Sequence, residues 1–247
     1  MPRWSIATVT ALAALALGAC SVPEKHLTDA EAPFACLNKP PPSIADDQIT
    51  FAGMIRDSYS GDKIAGASVQ AFLAIDRMHP IFTTTTDGQG EFSQRQGTGG
   101  APLDAFLRAT LNGYVTTEFY PAVRFSHSSA TQLQQLMPSE ITTLAGVAGL
   151  TVDLQTKALF LVTVTDCAGL PLGGATVSTT PPGDVRYFVN RLPSGTAVAT
   201  DSDTGTALVA NVPLSNTTIN ATVSGMTLRS HTIDSTAGIV IQTEIQP

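Results

Sequence analysis

The sequence predicts a mainly β protein with two tandem β-sandwich domains joined by a short helical segment, behind a signal peptide and a proline-rich tether. Three observations support this fold class. Charged residues make up only 13% of the chain while Thr, Ser, Gly, Ala and Val abound, a balance typical of β-sheet with many turns. Short segments of alternating apolar residues are separated by clusters of Asp, Gly and Asn. A set of sequence landmarks also occurs twice in the same order.

The N-terminus is typical of a secretory signal peptide. Arg3 is followed by a nearly unbroken run of small apolar residues over 6–17, shorter than the roughly 20 residues that a membrane-spanning helix needs. Residues 17–20, Leu-Gly-Ala-Cys, resemble the lipobox of bacterial lipoproteins, in which the cysteine is lipidated and becomes the first residue of the mature protein. The alternative is an ordinary signal peptide cut near Ala19, with Cys20 unmodified.

The lipobox resemblance implies a membrane anchor at Cys20 made of acyl chains such as palmitate. One acyl chain holds a membrane only marginally, and the lipoprotein pathway attaches several. Ser21 follows the cysteine in place of Asp, which by analogy with the sorting rule of enteric bacteria favours the outer membrane. The sequence leaves open which leaflet carries the protein, but it predicts a location in the cell envelope.

The charge of the chain argues against nucleic acid as a partner. The formal net charge is −7, and removal of Arg3 with the signal peptide brings the mature chain near −8. Nucleic acids and anionic membrane faces attract clusters of Lys and Arg, and the sequence contains no such cluster. The predicted contact with a membrane is therefore the lipid anchor.

Strand patterns begin after the tether, which contains three consecutive prolines. The alternation of residues predicts a first strand over 49–56 and a second over 67–73. The turn signal at 87–90, Asp-Gly-Gln-Gly, predicts a hairpin before Glu91. A further hairpin is predicted over 106–119, with Asn112-Gly113 at its turn.

Four landmarks repeat at similar spacing. In the first copy they are Asp57, Gly66-Ala67-Ser68-Val69, Thr86-Asp87 and Ala109-Thr110-Leu111-Asn112-Gly113-Tyr114. In the second copy they are Asp166, Gly174-Ala175-Thr176-Val177, Thr200-Asp201 and Ala221-Thr222-Val223-Ser224-Gly225-Met226. The same order at similar offsets predicts two copies of one β-domain.

These landmarks resemble the carboxypeptidase regulatory-like domain, a small transthyretin-like, broadly Ig-like, β-sandwich. The first copy follows the family pattern through residues 86–92, Thr-Asp-Gly-Gln-Gly-Glu-Phe, and through Gly113-Tyr114. The second copy departs from it, because Met226 replaces the tyrosine and Leu208 the aromatic residue. The resemblance implies a fold more than an activity, since domains of this type accompany enzymes, receptors or surface proteins without being catalytic.

The stretch between the copies is predicted to be helical. One helix is expected over 131–137, ending before Pro138, and a second from an N-cap at Ser139 through Ala148. Their apolar residues are expected to pack against a sandwich edge, with a partner-docking helix as the alternative. The chain is thus divided into a lipoprotein signal peptide (1–19), a lipidated tether (20–48), a first β-sandwich domain (49–128), a helical linker (129–156) and a second β-sandwich domain (157–247).

The cysteines predict one disulfide. If Cys20 carries lipid, Cys36 and Cys167 remain as an even pair in an oxidising compartment. A bond between them would tie the tether to the second domain. The alternatives are two buried or free thiols, or pairing with another molecule.

No catalytic residue, metal site or cofactor is predicted. The four histidines, His26, His79, His127 and His231, are not at metal-ligand spacing. Asp201 and Asp203 begin like a calcium loop, but the twelfth position is Val212 in place of Glu. Turn capping is the favoured role of these aspartates.

Two functions from different classes remain. The favoured one is a non-catalytic lipoprotein of the cell envelope that presents β-sandwiches to an unidentified protein partner in a structural or adhesive role. The alternative is a carbohydrate-binding surface lipoprotein, because sugar rings stack on exposed aromatic side chains. Its candidates are Tyr187-Phe188 and Phe119-Tyr120, since Trp4 is lost with the signal peptide.

Overall fold

A computed structural model describes residues 33–247, so the predicted signal peptide, Cys20 and His26 lie outside the described residues. The described chain is mainly β, as predicted. The strands are β1 (Gln48–Asp57), β2 (Ser68–Leu73), β3 (Phe82–Thr85), β4 (Glu91–Gly97), β5 (Ala105–Thr110), β6 (Thr116–Tyr120), β7 (Ser129–Gln135), β8 (Lys157–Val164), β9 (Ala175–Thr180), β10 (Asp184–Val189), β11 (Leu192–Ser194), β12 (Thr206–Pro213), β13 (Asn216–Val223), β14 (Met226–Thr227), β15 (His231–Asp234) and β16 (Ile239–Ile245). The helix α1 (Pro138–Val147) lies between β7 and β8.

The strands form three sheets. The first has three strands in the order β4–β1–β7, and the second has nine in the order β11–β10–β12–β8–β16–β6–β5–β2–β3. The third has four strands, in which β13 pairs with β9, β14 and β15.

Two copies of one β-sandwich are visible in this pairing. In the first copy β1 pairs antiparallel with β4 and parallel with β7, and in the second β8 pairs antiparallel with β12 and parallel with β16. The opposite sheet of each copy is built on an antiparallel pair, β2 with β5 and β9 with β13. The repeated landmarks in the sequence therefore correspond to a repeated strand topology.

The two sandwiches share a sheet. Strand β16 of the second copy pairs in parallel with β6 of the first, from Ile239 opposite Thr116 to Thr243 opposite Tyr120. This pairing joins one sheet of each copy into the nine-stranded sheet. The three-stranded sheet and α1 pack on one face of it, and the four-stranded sheet packs on the other.

Each face of the shared sheet carries its own core. Alternate residues of a strand point to opposite faces, so Phe106 on β5 faces the core of the second copy while Leu107 faces that of the first. The core of the second copy contains Phe160 and Ile241, and α1 contributes Ile141 to a third apolar cluster.

The helix predicted over 131–137 is wrong, because these residues belong to strand β7 and the turn after it. Leu133 and Gln135 are buried at alternate positions, and the strand pairs with β1 from Phe51 opposite Ser129 to Asp57 opposite Gln135. A short Gln- and Leu-rich segment fits either period, and the unpaired edge of β1 decides in favour of the strand. Strand β7 completes the first sandwich beyond residue 128, while the numerical domain bounds stay a prediction.

The second predicted helix is present as α1, but Ser139 is not its N-cap. Met137 occupies that position, and the Glu140 carboxylate accepts a hydrogen bond of 2.7 Å from the Met137 N–H. Pro138 takes the first helical position, where its missing N–H costs nothing.

The hairpin predicted at 87–90 is also wrong, whereas the hairpin of β5 and β6 is confirmed. Strand β3 pairs with β2 and β4 pairs with β1, so the Asp87 turn carries the chain from one sheet of the sandwich to the other. The local turn chemistry is as expected, because the Asp87 carboxylate accepts the N–H groups of Gln89 and Glu91. The partner of each strand is decided by packing across the sandwich.

Candidate functional site

The aspartates of the repeated landmarks cap turns. Asp57 accepts N–H groups from Tyr59 and Ser60, at 2.9 and 2.7 Å. Asp166 accepts those of Ala168 and Leu170, at 2.8 and 2.9 Å. Asp201 accepts the Thr204 N–H at 2.8 Å. In each case the carboxylate oxygen that accepts these hydrogen bonds stabilises the turn.

A disulfide joins Cys36 to Cys167, whose Cα atoms lie 5.6 Å apart. The predicted pair is thus bonded in the structure, within the range of Cα separations that a disulfide spans without backbone movement. The Cys167 N–H also donates to the Pro33 carbonyl at 3.0 Å. Together these contacts attach the first described residues to the turn after β8.

The segment around Cys36 packs on the second sandwich. Phe34 and Leu37 lie against its core, and the Arg229 guanidinium donates to the Lys39 carbonyl at 2.8 Å. A few residues later the chain reaches the first sandwich, where the Ala45 N–H donates to the Gly100 carbonyl at 3.0 Å. The predicted tether therefore bridges the two sandwiches.

A buried carboxylate lies where the two copies meet. The Glu118 side chain on β6 is 1% exposed and accepts four hydrogen bonds, two on each oxygen. Arg108 donates twice to Oε1, at 2.6 and 3.0 Å, while Arg77 and Tyr120 donate to Oε2, at 2.7 and 2.8 Å. We call Arg77, Arg108, Glu118 and Tyr120 the junction cluster.

The junction cluster connects the copies through Arg77. This side chain comes from the loop after β2 and also donates to the Asp234 carbonyl on β15 at 3.0 Å. Its guanidinium lies 5.1 Å from the centre of the Phe106 ring, and that of Arg108 lies 4.4 Å from the centre of the Phe72 ring. Both oxygens of the Glu118 carboxylate are occupied, so the cluster is suited to holding elements together and not to proton transfer.

Sequence reasoning did not identify the junction cluster. Arg77 and Glu118 stand in no motif, and their partners come from distant parts of the chain. The only available signal was the placement of Glu118 and Tyr120 on one face of a strand by the two-residue period. Glu118 and Tyr120 would predict a buried polar site only if β6 were already known to be covered on both faces.

His231 borders the junction cluster. Its ring lies edge-on to the Tyr120 ring, and its Nδ1 is 3.0 Å from the Thr243 hydroxyl. Burial lowers the pKa of His231, with Asp104 opposing that shift, so the ring is neutral at pH 7. Burial together with the charge of Glu118 raises the pKa of Tyr120, which keeps its hydroxyl a donor.

The other described histidines lie at the surface. His79 contacts Asp76 at 3.0 Å, and His127 contacts Asp46 at 3.4 Å. Within residues 33–247, no group of three or more His, Cys, Asp or Glu side chains is placed to hold a metal ion. In the same range no helix is long and apolar enough to cross a membrane.

Two carboxyl groups with opposite pKa shifts lie near the start of α1. Burial alone would raise the pKa of Asp57, but hydrogen bonds from Ser60, Tyr59 and Tyr114 outweigh it and lower that pKa. Burial and the nearby charge of Asp57 raise the pKa of Glu140. The end of β1 thus lies close enough to α1 for the charge of Asp57 to disfavour the charged form of Glu140.

Three of the four aromatic rings considered for sugar binding lie in the core, and the fourth, Phe188, is half-buried. Phe119, Tyr120 and Tyr187 are buried, and the Tyr187 hydroxyl accepts the Val177 N–H at 3.0 Å. Phe188 packs against the apolar cluster beneath α1. Phe119, Tyr120 and Tyr187 are therefore withdrawn from solvent, and neither pair presents two exposed rings.

The outer face of the three-stranded sheet forms a groove that is open to solvent. Its volume is about 640 Å³, and it is lined mainly by side chains of β1, β4 and β7. We call this surface the sheet groove, defined by Met54, Arg56, Glu91, Ser93, Ala130 and Gln132. Among the described strands, β4 and β7 each pair only with β1. The outer edge of β7 is already bonded at Gln134, whose N–H donates to Gln242 Oε1 and whose carbonyl accepts Gln242 Nε2, so the edge of β4 is the one that can take a further strand.

The fold and these sites define a disulfide-linked double β-sandwich protein. No family model and no curated protein matches the chain, so the carboxypeptidase regulatory-like family stays a prediction. Among solved structures, the chain is similar to the Bacillus anthracis TIE protein, with 13% identity and a TM-score of 0.29 over 82% of this chain and 35% of that one. It is also similar to the shaft pilin SpaA from Lactobacillus rhamnosus GG, with 10% identity and a TM-score of 0.26 over 81% of this chain and 97% of the pilin.

One of the solved structures with a comparable TM-score is an enzyme. The 3-chlorocatechol 1,2-dioxygenase from Rhodococcus opacus 1CP has 15% identity and a TM-score of 0.27, over 38% of this chain and 61% of the dioxygenase. The chain thus spans about a third of the TIE protein and less than two thirds of the dioxygenase. At these TM-scores the similarities carry no function to this chain.

Proposed function

We propose that this protein is a non-catalytic lipoprotein of the bacterial cell envelope, in which an acylated Cys20 anchors a rigid double β-sandwich that presents its surface to a protein partner. The Cys36–Cys167 disulfide is the observation that carries the proposal. It attaches the described segment nearest the expected anchor to the second sandwich, so the chain from the anchor enters the double sandwich at a fixed point.

The disulfide also supports the proposed compartment. Disulfides form and persist in oxidising spaces and are rare in the bacterial cytosol. An exported protein with a lipobox-like end to its signal peptide would meet such a space after processing. By the sorting analogy for Ser21, the proposed location is the outer membrane.

The sheet groove is the proposed surface for the protein partner. It contains Met54 together with charged side chains of both signs, including Arg56 and Glu91. An extended peptide can add to an unpaired strand edge through main-chain hydrogen bonds, while adjacent side chains provide selectivity. The outer edge of β4 suits a partner of this kind, because the side chains of the sheet groove lie beside it.

The anchor is tested by mass spectrometry of the mature N-terminal peptide. We expect Cys20 at its first position, carrying acyl chains. A free amine at Ser21, or an unmodified Cys20, would refute the anchored protein.

The partner surface is tested by site-specific photo-crosslinking in intact cells. A photoreactive amino acid is placed at Ser93 or at Gln132, which are both exposed in the sheet groove. The matched control is Thr232, an exposed strand position on β15 in the four-stranded sheet. We expect the two groove positions to capture the same envelope protein and Thr232 not to capture it, whereas equal capture at all three positions would contradict the proposal.

A further inference from the structure

The five most exposed large apolar side chains of the described residues have 62% to 92% of their surface exposed. They are Ile44, Ile75, Met78, Leu170 and Val198. The other exposed large apolar residues are exposed by 57% or less. Scattered surface apolar residues are normal in soluble proteins, but a concentration of them in one region indicates a contact surface.

Strand directions place Leu170, Ile75 and Met78 at one end of the shared sheet. Strands β8, β16 and β6 run in parallel, so their C-terminal ends lie at the same end of the sheet. Leu170 is in the turn that follows β8. Strands β6, β5 and β2 alternate in direction, so the loop after β2, with Ile75 and Met78, returns to that end.

The other two side chains lie at the same end. Ile44 precedes Ala45, whose N–H bonds to the Gly100 carbonyl in the loop before β5. Val198 lies two residues before Thr200, whose N–H donates to the Ala175 carbonyl at the start of β9. We call this end, with its five exposed apolar side chains, the anchor end.

The exposed positions of the anchor end are held by hydrogen bonds. The Asp76 carboxylate accepts the N–H groups of Met78 and His79, at 3.0 and 3.1 Å, while Arg77 ties the same loop to the junction cluster. The Leu170 N–H donates to the Asp166 carboxylate at 2.9 Å. These turns present apolar side chains outward in a fixed arrangement, so little ordering is needed on contact.

The described part of the chain begins at the anchor end. The Cys167 N–H bonds to the Pro33 carbonyl, in the turn after β8 that also carries Leu170. From Cys20 to Pro33 the chain advances 13 residues, which span at most ~45 Å even when fully extended. Because the chain from Cys20 enters the described structure here, an acylated Cys20 favours contact of this end with the bilayer over contact of the opposite end.

We propose that the anchor end is a second, non-covalent membrane contact, in which Ile44, Ile75, Met78, Leu170 and Val198 enter the interfacial region of the bilayer. This inference rests on the proposed function, because it requires the anchor at Cys20. Apolar side chains that enter the boundary between lipid headgroups and acyl chains add to the membrane affinity that the covalent lipid provides. The contact orients the opposite end of both sandwiches, with Tyr59 and Leu214, away from the membrane.

The test uses tryptophan as a depth probe. The sole tryptophan of the chain is Trp4, upstream of Cys20, so a variant carries one probe after processing. Acylated Met78→Trp and Leu170→Trp proteins are reconstituted into phosphatidylethanolamine and phosphatidylglycerol vesicles with brominated acyl chains. Tyr59→Trp is the matched control, because it is an exposed turn position at the far end of β1.

We expect the bromine atoms to quench the emission of Met78→Trp and Leu170→Trp by about twofold or more, with a shift to shorter wavelength, because both probes would reach the acyl boundary. Tyr59→Trp should be unaffected. Unquenched emission from all three probes, or stronger quenching at Tyr59, would overturn the orientation. If the probes stay unquenched in vesicles and a photoreactive amino acid at position 78 captures a protein in intact cells, the anchor end contacts a protein partner, which also overturns the proposal.

The proposed function has a separate readout in the same samples. Mass spectra of the N-terminal peptide report whether Cys20 is acylated. An acylated protein whose probes stay unquenched refutes only the contact at the anchor end, whereas an unmodified Cys20 refutes the anchored protein itself.

Discussion

Thr86 and Thr200 make the same hydrogen bonds in the two sandwiches. The Thr86 hydroxyl accepts the Ala67 N–H at 2.9 Å and donates to the Ile64 carbonyl at 2.8 Å. The Thr200 hydroxyl accepts the Ala175 N–H at 3.0 Å and donates to the Leu172 carbonyl at 2.7 Å. Each threonine satisfies two backbone groups where the chain enters the second strand of its copy. This equivalence shows the internal repeat at the level of single hydrogen bonds.

Thr86→Val and Thr200→Val should each lower the free energy of unfolding by about 1–3 kcal/mol, because each leaves a buried N–H and a carbonyl without a partner. Urea denaturation of the oxidised mature protein measures the loss. Thr85→Val, at an exposed position on β3, is the control and should change the unfolding midpoint little. An equal effect at Thr85 and Thr86 would contradict the assigned role of the hydroxyl.

Glu118→Gln should destabilise the protein strongly. The amide keeps the shape of the side chain but leaves Arg108 without its counter-charge and leaves Arg77 with only the exposed Asp234 carboxylate at 3.5 Å. Loss of one partner from a buried ion pair costs about 3–5 kcal/mol. We expect the low end of that range, because Arg77 and Arg108 are partly exposed. The readout is the unfolding midpoint in urea, with Glu91→Gln on β4 as the exposed control. An unchanged midpoint for Glu118→Gln would show that the junction cluster does not hold the copies together.

Loss of the disulfide should lower stability without changing the fold. Cys36 and Cys167 are separated by 131 residues, and the loop-closure model gives a gain of about 4–5 kcal/mol for a loop of this length. The double variant Cys36→Ser/Cys167→Ser should lose up to that amount in denaturant unfolding. Added reductant should lower the stability of the wild type to that of the variant and leave the stability of the variant unchanged. Peptide mapping without reductant should give one cross-linked peptide that contains both cysteines.

Glu140→Gln should change how stability depends on pH. The raised pKa of Glu140 means that the folded protein binds this proton more tightly than the unfolded chain. Its contribution to stability is therefore complete below the unfolded pKa and is lost as the pH rises through the folded pKa. The amide oxygen of glutamine can still accept the Met137 N–H. Relative to the wild type, the variant should thus gain stability as the pH rises from 4 to 7.

Urea unfolding midpoints across that pH range test the prediction for Glu140. Glu91→Gln is again the control, since its side chain is exposed on β4. If the unfolding midpoint of Glu140→Gln fell progressively below that of the wild type toward pH 7, the assigned upward shift of the Glu140 pKa would be contradicted.

Local interactions account for what could be predicted in the first sandwich. The alternation over 67–73 and the Asn112-Gly113 turn correspond to β2 and to the turn between β5 and β6. These features depend on residues a few positions apart, so a short segment contains the whole signal. The misassigned strand β7 shows the limit, because residues 131–137 suit a helix until the edge of β1 is available to pair with them.

The candidate sites divide in the same way. Capping by Asp57 and Asp166 could be predicted, since an aspartate bonds to N–H groups two to four residues away. The Cys36–Cys167 bond could be predicted by counting, because two cysteines remain if Cys20 carries lipid. The junction cluster could not, since Arg77 meets Glu118 only after two strands and a loop have packed.

The sequence by itself determined that the chain is built from two copies of one β-sandwich, with turns at defined aspartates and glycines. Only the tertiary structure decided that the copies share a sheet through β16 and β6. The physical reason is that parallel pairing is made by backbone hydrogen bonds, which are the same for almost every residue type. Nothing in the side chains at Thr116 or Ile239 specifies the partner strand. The pairing of β16 with β6 is therefore decided by the simultaneous burial of both faces of the shared sheet.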